Sequence, residues 1–334
     1  MYDLLGISLA LAALLTINAL ATILAATLWR VALAPLTARW QASTRSRMIF
    51  ALRIFPALAA MLCVCVFLIP SYVAYEPRHT NETVNYKLAI VALISGIGLA
   101  LALWRGLAAW LATRRLVADW MRHATPLQLE GAGIPVYLIK HKFPVIAVVG
   151  AFRPRLFIAG QVFESLSREE ISAAIAHEAG HLAARDNFKR ACLRACRDVL
   201  TIVPTGRVLD RAWSESAEVA ADESVACAGP VKALDLASAL VKIARMAPAN
   251  SRPTMPAGAF LIGETISSIG WRVRRLTQLA TPGDSWQRNE NSMPGLLLWS
   301  GFILLIMIVA FAATRPGILA AMHSMLESIV RALN

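Results

Sequence analysis

The residues of this sequence best suited to chemistry are His177, Glu178 and His181, in the stretch His177-Glu178-Ala179-Gly180-His181. Two histidines four positions apart lie on the same face of a helix, so both imidazoles reach one metal ion. The glutamate between them has the position of a general base that takes a proton from water. The spacing therefore predicts a zinc site for hydrolysis. The alternative is a charged helix face turned towards solvent.

A hydrolytic zinc ion needs a third protein ligand, because such a site has three ligands and one open position. Glu218, in the stretch Glu218-Val219-Ala220-Ala221-Asp222, is the candidate for that ligand. Asp222 follows one turn later on the same face and is placed to orient a ligand imidazole from behind. Glu215 and Glu223 are rivals for the third ligand, and a solvated acidic helix face is the alternative for the whole segment.

The composition is typical of a membrane protein, since 57% of the residues are hydrophobic and only 16% are charged. Four stretches are long and apolar enough to cross a bilayer, which takes about 20 helical residues. They are residues 4–28, 54–75, 88–110 and 296–313. The five cysteines show no disulfide framework, which indicates a reducing compartment. The N-terminal stretch has no basic n-region or cleavage site and is interpreted as a retained span.

The positive charges orient these spans. The loop after the first span carries five arginines and no acid, whereas the loop after the second carries acids beside its basic residues. The positive-inside rule then puts the first loop and residues 114–294 in the cytoplasm, and both termini outside the inner membrane. A net charge of +12 also raises the possibility of nucleic acid. However, no basic helix-turn-helix pattern supports direct nucleic-acid binding.

Residues 114–294 form the one stretch long enough for a separate globular domain. Short β-branched or proline-preceded pieces predict strands at about 134–139, 145–149 and 155–159. Ser167 and Glu170 form a predicted capping box, which begins a helix that carries the histidines and continues past Phe188. Further helices are predicted at about 210–227, 231–246 and 260–279, with a proline-rich loop at 250–258. The predicted fold is a multi-pass α-helical membrane protein with a cytosolic α+β zinc-metallopeptidase domain. Its parts are residues 1–113, 114–294 and 295–334, with the domain between the third and fourth transmembrane helices.

On these features the chain resembles the membrane gluzincin peptidases of the beta-lactam sensor-transducer (antirepressor) type. The likeness consists of three spans before a zinc domain and one after it, HExxH on one helix, and ExxxD on the next. It also includes the approach through 150–154 into the strand at 155–159, and it covers roughly residues 1–314. The resemblance implies that His177, His181 and Glu218 bind Zn²⁺, that Glu178 is the catalytic base, and that Asp222 supports the site.

The sequence departs from that family after the fourth span. The stretch 314–334 is too short for the extracellular penicillin-binding sensor, and no Ser-x-x-Lys motif lies in it, so direct antibiotic sensing is not expected. A related resemblance is to the membrane CAAX-prenyl-type and heat-shock-type metallopeptidases, whose span arrangement fits less well.

The sequence favours a membrane-integrated zinc endopeptidase with a cytosol-facing site. The expected partners are a peptide or protein substrate, such as a cytosolic repressor, and the lipid bilayer. The alternative is a signal-transducing protein that uses the zinc fold to bind a partner. An apolar strand before the HEAGH helix is a candidate for pairing with extended substrate. Three side chains are candidates for the oxyanion stabiliser, namely Tyr137, His141 and Arg211.

Overall fold

Three long apolar helices form the N-terminal part of the chain, α1 (Tyr2–Leu36), α2 (Ala42–Tyr75) and α3 (Tyr86–Met121). The computed structural model describes residues 2–77, 84–129, 132–196, 206–247 and 266–281, and then 300, 304, 307–309, 311–312 and 314–333. Each of the three helices is long and apolar enough to cross a membrane, which confirms the first three predicted spans as apolar helices. At about 50 Å, each also exceeds a bilayer core of about 30 Å. The predicted fourth span, 296–313, lies largely outside the described residues.

A four-stranded sheet follows α3. Its strands are β1 (Thr125–Leu127), β2 (Val136–Ile139), β3 (Ile146–Val149) and β4 (Arg155–Ala159), in the order β1-β2-β4-β3. β2 and β4 are parallel, while β1 with β2 and β3 with β4 are antiparallel. The three predicted strands are confirmed, and β1 is an addition. Consequently β3, the strand whose Val148 N–H bonds to Glu178, lies at one edge of the sheet.

Helices then cover the sheet and build the core of this part of the chain. They are α4 (Gly160–Ser165), α5 (Arg168–Ala183), α6 (Asp186–Ala195), α7 (Gly206–Ala226), α8 (Pro230–Met246) and α9 (Ile266–Ala280). Apolar side chains of the strands, such as Phe157 and Ile158, form one buried cluster with those of α8, such as Leu236 and Leu240. Helices α7 and α8 agree with prediction. The predicted helix at 260–279 is found from Ile266, and residues 260–265 lie outside the described part.

The prediction of one helix from Ser167 past Phe188 is wrong. Helix α5 ends at Ala183, and Arg185 adopts a left-handed conformation with φ 54° before α6 begins at Asp186. The left-handed residue redirects the chain, because a non-glycine residue there cannot continue a right-handed helix. The break places Asp186 beside His181, where the two side chains form a hydrogen bond of 2.8 Å.

A second apolar cluster joins the long helices to α7. Trp29 of α1 and Ile49 of α2 are buried against Leu209 and Trp213 of α7. The contact is reinforced by an ion pair of 2.9 Å between Arg53, which is 2% exposed, and Asp210. The helix that carries Glu218 is therefore packed directly on the apolar N-terminal helices.

A C-terminal helix, α10 (Pro316–Leu333), packs against the far end of α2. The Ser71 hydroxyl donates to the carbonyl oxygen of Leu319 at 2.8 Å, and the Tyr75 hydroxyl donates to that of Pro316 at 3.1 Å. The sequence predicted only a short tail here. Helix α2 thus contacts α7 near its start and α10 near its end.

Candidate metal centre and active site

Helix α5 carries the two histidines and begins with the predicted capping box, which is confirmed. The Ser167 hydroxyl accepts from the Glu170 N–H at 3.2 Å, and the Glu170 carboxylate accepts from the Ser167 N–H at 2.8 Å. Such a cap satisfies backbone donors that the first turn leaves free, so it fixes where the helix begins. His177 and His181 then lie one turn apart and are 0% and 4% exposed.

Gly180 lets α7 come close enough to supply the third side chain. A Cβ atom at this position would lie 2.7 Å from the Ser224 hydroxyl oxygen and 3.3 Å from the Cα of Ala221. A larger residue would therefore make the Ser224 side chain turn away and α7 shift by a few tenths of an ångström. The glycine between the histidines thus favours the close approach of the helix that bears Glu218.

The structure brings His177, His181 and Glu218 together, with one possible ligand atom from each lying within 4.8 Å of the others. The Nε2 atoms of His177 and His181 lie 3.6 Å and 3.5 Å from the Glu218 oxygens. Two ligand atoms that each lie about 2 Å from one ion are at most about 4 Å apart. The separations of 3.6 and 3.5 Å between the histidine nitrogens and the Glu218 oxygens therefore suit a shared metal ion. Among the described residues, Nε2 of His181 and Oε2 of Glu218 are buried without a hydrogen-bond partner. The donor set thus fits a metal ion.

Carboxylates stand behind both imidazoles. Nδ1 of His181 lies 2.8 Å from Asp186, and Nδ1 of His177 lies 3.0 Å from Asp222, although the latter pair is not aligned as a regular hydrogen bond. A proton on each Nδ1 leaves each Nε2 with a lone pair towards Glu218, as a metal ligand requires. Asp222 therefore lies where the sequence analysis expected it. Asp186 was not predicted, because it belongs to a helix that the analysis did not separate from α5.

The charges around His181 also suit a cation. Burial lowers the pKa of His181, but Glu218, Asp186 and Glu178 outweigh it and raise that pKa to about 10. Burial likewise raises the pKa of Glu218, yet His181, His177 and Arg272 hold it well below its usual range. The raised pKa of His181 reports the negative charge of the carboxylates around it, whereas the lowered pKa of Glu218 reports the histidines and the arginine beside it.

Arg272 of α9 is a site residue that the sequence analysis missed. Its guanidinium binds Asp222 through two bonds of 2.6 and 2.8 Å, and lies 3.3 Å from Glu218 and 3.4 Å from Nε2 of His177. In the sequence Arg272 stands only as one of the basic residues before the predicted fourth span. The sequence does contain a signal for this role, because Arg272 lies on the same predicted helix face as Ile269 and Leu276, which are both buried. An arginine on the apolar face of a helix needs a buried partner.

Glu178 lies between the helix and the edge strand. Its Oε2 accepts from the Val148 N–H at 3.0 Å, while its Oε1 is buried and has no hydrogen-bond partner in the described structure. Burial raises the pKa of Glu178, and the nearby histidines oppose that shift. A carboxylate with one oxygen anchored and the other free, with a raised pKa, is suited to accept and release a proton.

At the edge of β3, both backbone groups of Val148 already form hydrogen bonds with side chains. Its carbonyl oxygen accepts from the Asn187 side chain at 2.8 Å, and its N–H donates to Glu178. The predicted pairing of a substrate with this edge stays a prediction. A substrate that paired at Val148 itself would compete with both of these side chains.

The rival residues lie elsewhere. Glu215 is exposed, and Glu223 accepts from the Ala42 N–H at 3.2 Å and from Arg275. Neither belongs to the group of possible ligands found among the described residues. For the oxyanion role, Tyr137 stacks on Phe157, His141 packs on Trp120 and bonds to Phe143, and Arg211 is exposed. The contacts described for these three side chains are therefore not with His177, His181 or Glu218.

Asp222→Asn is expected to weaken metal binding or turnover by about 10–100-fold while the fold is kept. The neutral amide cannot hold the Nδ1 proton of His177 as a carboxylate does, and it loses one charged partner of Arg272. Chelator titration and turnover of the two proteins provide the measurement. Equal metal affinity together with equal turnover would show that Asp222 does not orient the ligand.

Comparison with known families agrees with this geometry. Residues 113–254 match the family model described as Peptidase family M48. The match contains the HEAGH stretch and Glu218, and it begins near the end of α3. No curated protein matches the chain. A metallopeptidase domain of the M48 type therefore follows the three apolar helices.

Proposed function

We propose that the M48-type domain is a zinc-dependent endopeptidase that works at the cytosolic face of the inner membrane. The observation that carries the proposal is the meeting of His177, His181 and Glu218 within 4.8 Å, on the helix that also bears Glu178. Two imidazoles and one carboxylate form a typical ligand set for catalytic zinc. When bound there, zinc supplies the Lewis acid that hydrolysis of a peptide bond needs.

The residues of the chain supply the proton transfers and the positioning. The free Oε1 of Glu178 takes a proton from the attacking water and later gives it to the leaving amine, while Oε2 stays anchored on Val148. Asp222 and Asp186 hold the Nδ1 protons and orient the rings. Arg272 keeps Asp222 charged, because its guanidinium lowers the pKa of that buried carboxyl against the effect of burial.

For the substrate we propose a regulatory protein, such as a cytosolic repressor, in a signalling pathway. Only the resemblance to the antirepressor peptidases supports this part. Two alternatives are partner binding without proteolysis and a quality-control activity of the CAAX-prenyl or heat-shock type. The retained Glu178, with its free oxygen, favours chemistry over partner binding.

Metal removal tests the activity. The purified full chain in detergent is expected to cleave an unfolded protein such as casein, to lose this activity in a chelator, and to regain it with zinc. Serine-protease inhibitors should have no effect and serve as the control. Casein cleavage that persists in metal-free protein would contradict a metallopeptidase.

The orientation of the chain has a separate test. Reporter fusions near residues 40 and 200 are expected in the cytosol, and those near residue 80 and at the C-terminus outside, because the basic loops remain inside. A cytosolic reporter at the C-terminus would mean that an odd number of spans crosses the membrane.

A further inference from the structure

A cavity of about 340 Å³ lies between four elements, namely the loop after α1, the start of α2, helix α7 and helix α9. All four contribute to its apolar walls, and Trp40 and Trp271 are the largest of these side chains. The others are Ala38, Ala42, Ala212 and Val219. Trp40 and Trp271 are 40% and 50% exposed, so both indoles remain accessible. The cavity is therefore a cleft with aromatic walls.

The cleft borders the candidate metal centre through two shared side chains. Glu218 and Arg272 line it, and both belong to the group around His177 and His181. A polypeptide whose scissile bond lies at the metal group, beside Glu218, would place a neighbouring side chain in this cleft. The loop between the first two apolar helices, which supplies Trp40, would then contact the substrate directly.

The charges in the cleft favour an uncharged occupant. The cleft has no net charge, because three arginines and three glutamates line it. They are Arg45, Arg272, Arg275, Glu215, Glu218 and Glu223. Arg272 is bound to Asp222 and Arg275 to Glu223. Arg275 also lies 5.5 Å from the Trp271 ring centroid, which holds that indole in place. The remaining lining consists of Trp40, Trp271 and small, mostly apolar side chains, together with the exposed Glu215 and with Arg45, which lies over the Trp29 ring.

The size of the cleft limits the occupant further. Pockets that hold a whole drug-sized ligand span roughly 300–1,000 Å³, and this cleft is near the lower bound. It suits one large side chain better than a folded segment.

We propose that this cleft is a specificity subsite that takes one large apolar or aromatic side chain of the substrate. Trp40 contributes to selectivity from the membrane part of the chain. The inference rests on the proposed peptidase function, because it places the scissile bond at the metal group. Burial of a phenyl ring between the two indoles provides the affinity.

The test uses small hydroxamates, which anchor on zinc and present a single side chain. Two series of probes are compared, and they differ in the side of the hydroxamate that carries the variable group. Each series contains one compound with a benzyl group and one with a hydrogen at that position. Calorimetry measures the binding of each compound to the zinc-loaded full chain. In one series the benzyl compound is expected to bind at least about tenfold more tightly, as burial of a phenylalanine side chain implies. Trp40→Ala and Trp271→Ala should each reduce this preference to about twofold, with little change for the hydrogen compound.

Two further variants serve as controls. Trp40→Phe keeps an aromatic wall and should retain most of the preference. Trp104→Ala removes an exposed indole of α3, remote from the cleft in the sequence, and should change nothing. Zinc content is measured for every variant, so that loss of metal is not mistaken for loss of the subsite.

A benzyl preference that is absent in both series, or unchanged in both alanine variants, would overturn the subsite. Failure of the proposed peptidase activity gives a different pattern. In that case the benzyl preference and its loss in the alanine variants persist, while casein is not cleaved under any metal condition.

Discussion

Replacement of Glu178 by Gln is expected to lower kcat by about 10²–10⁴-fold while zinc remains bound. The amide keeps the size of the side chain and an oxygen that accepts from the Val148 N–H, so the local structure is preserved. It cannot take a proton from water, and this step is the one assigned to the free oxygen of Glu178. The measurements are kcat on a fluorogenic peptide and zinc content by mass spectrometry.

Glu164→Gln is a matched control, because it makes the same chemical change at an exposed position of α4 that does not line the proposed cleft. Its kcat should equal that of the unmodified protein. A Glu178→Gln protein that works at the unmodified rate would assign the base to another group.

Loss of any one of His177, His181 and Glu218 is expected to weaken zinc binding by more than about 100-fold, since even a supporting residue costs about 10–100-fold. His177→Ala, His181→Ala and Glu218→Gln each remove one of the three atoms that converge. Zinc content should fall from about one per chain to near zero after dialysis, and activity should fall with it. Circular dichroism shows whether the helices persist.

Glu223→Gln is the sharper control for this experiment. Glu223 is buried on the same helix but lies outside the group of possible ligands, because its carboxylate accepts from the Ala42 N–H and from Arg275. Its zinc content should remain near one per chain. If Glu223→Gln loses zinc and Glu218→Gln retains it, the third ligand has been assigned wrongly.

Local patterns in the sequence predicted much of the fold. The three apolar helices follow from hydropathy, and the start of α5 follows from Ser167 and Glu170. Helix α8 begins at Pro230 and ends within one turn of its predicted position, because its signals lie in adjacent residues. Glu218 was favoured over its rivals by the ExxxD pattern and by the family resemblance, and it is the acid that the structure places with the histidines.

The remaining features depend on contacts between distant segments. The break at Arg185 has no glycine or proline to mark it, and it is explained only by the pairing of Asp186 with His181. Strand β1 has three residues including Pro126, too few for a periodic signal, and its proline suits an edge strand. The role of Arg272 depends on a partner 50 positions away, so spacing along one helix does not reveal it.

The packing of α7 on the apolar helices has a consequence for solubility. Leu209, Trp213 and Ala217 are almost fully buried, and part of their cover comes from Trp29 and Ile49. A fragment cut before residue 114 would expose this strip of α7 to water and leave Asp210 without its arginine partner. An uncovered apolar patch of this kind promotes aggregation. The peptidase domain is continuous in the sequence, but α1 and α2 cover part of its helix α7. Detergent or lipid around the intact chain therefore preserves the helix contacts that keep this strip of α7 buried.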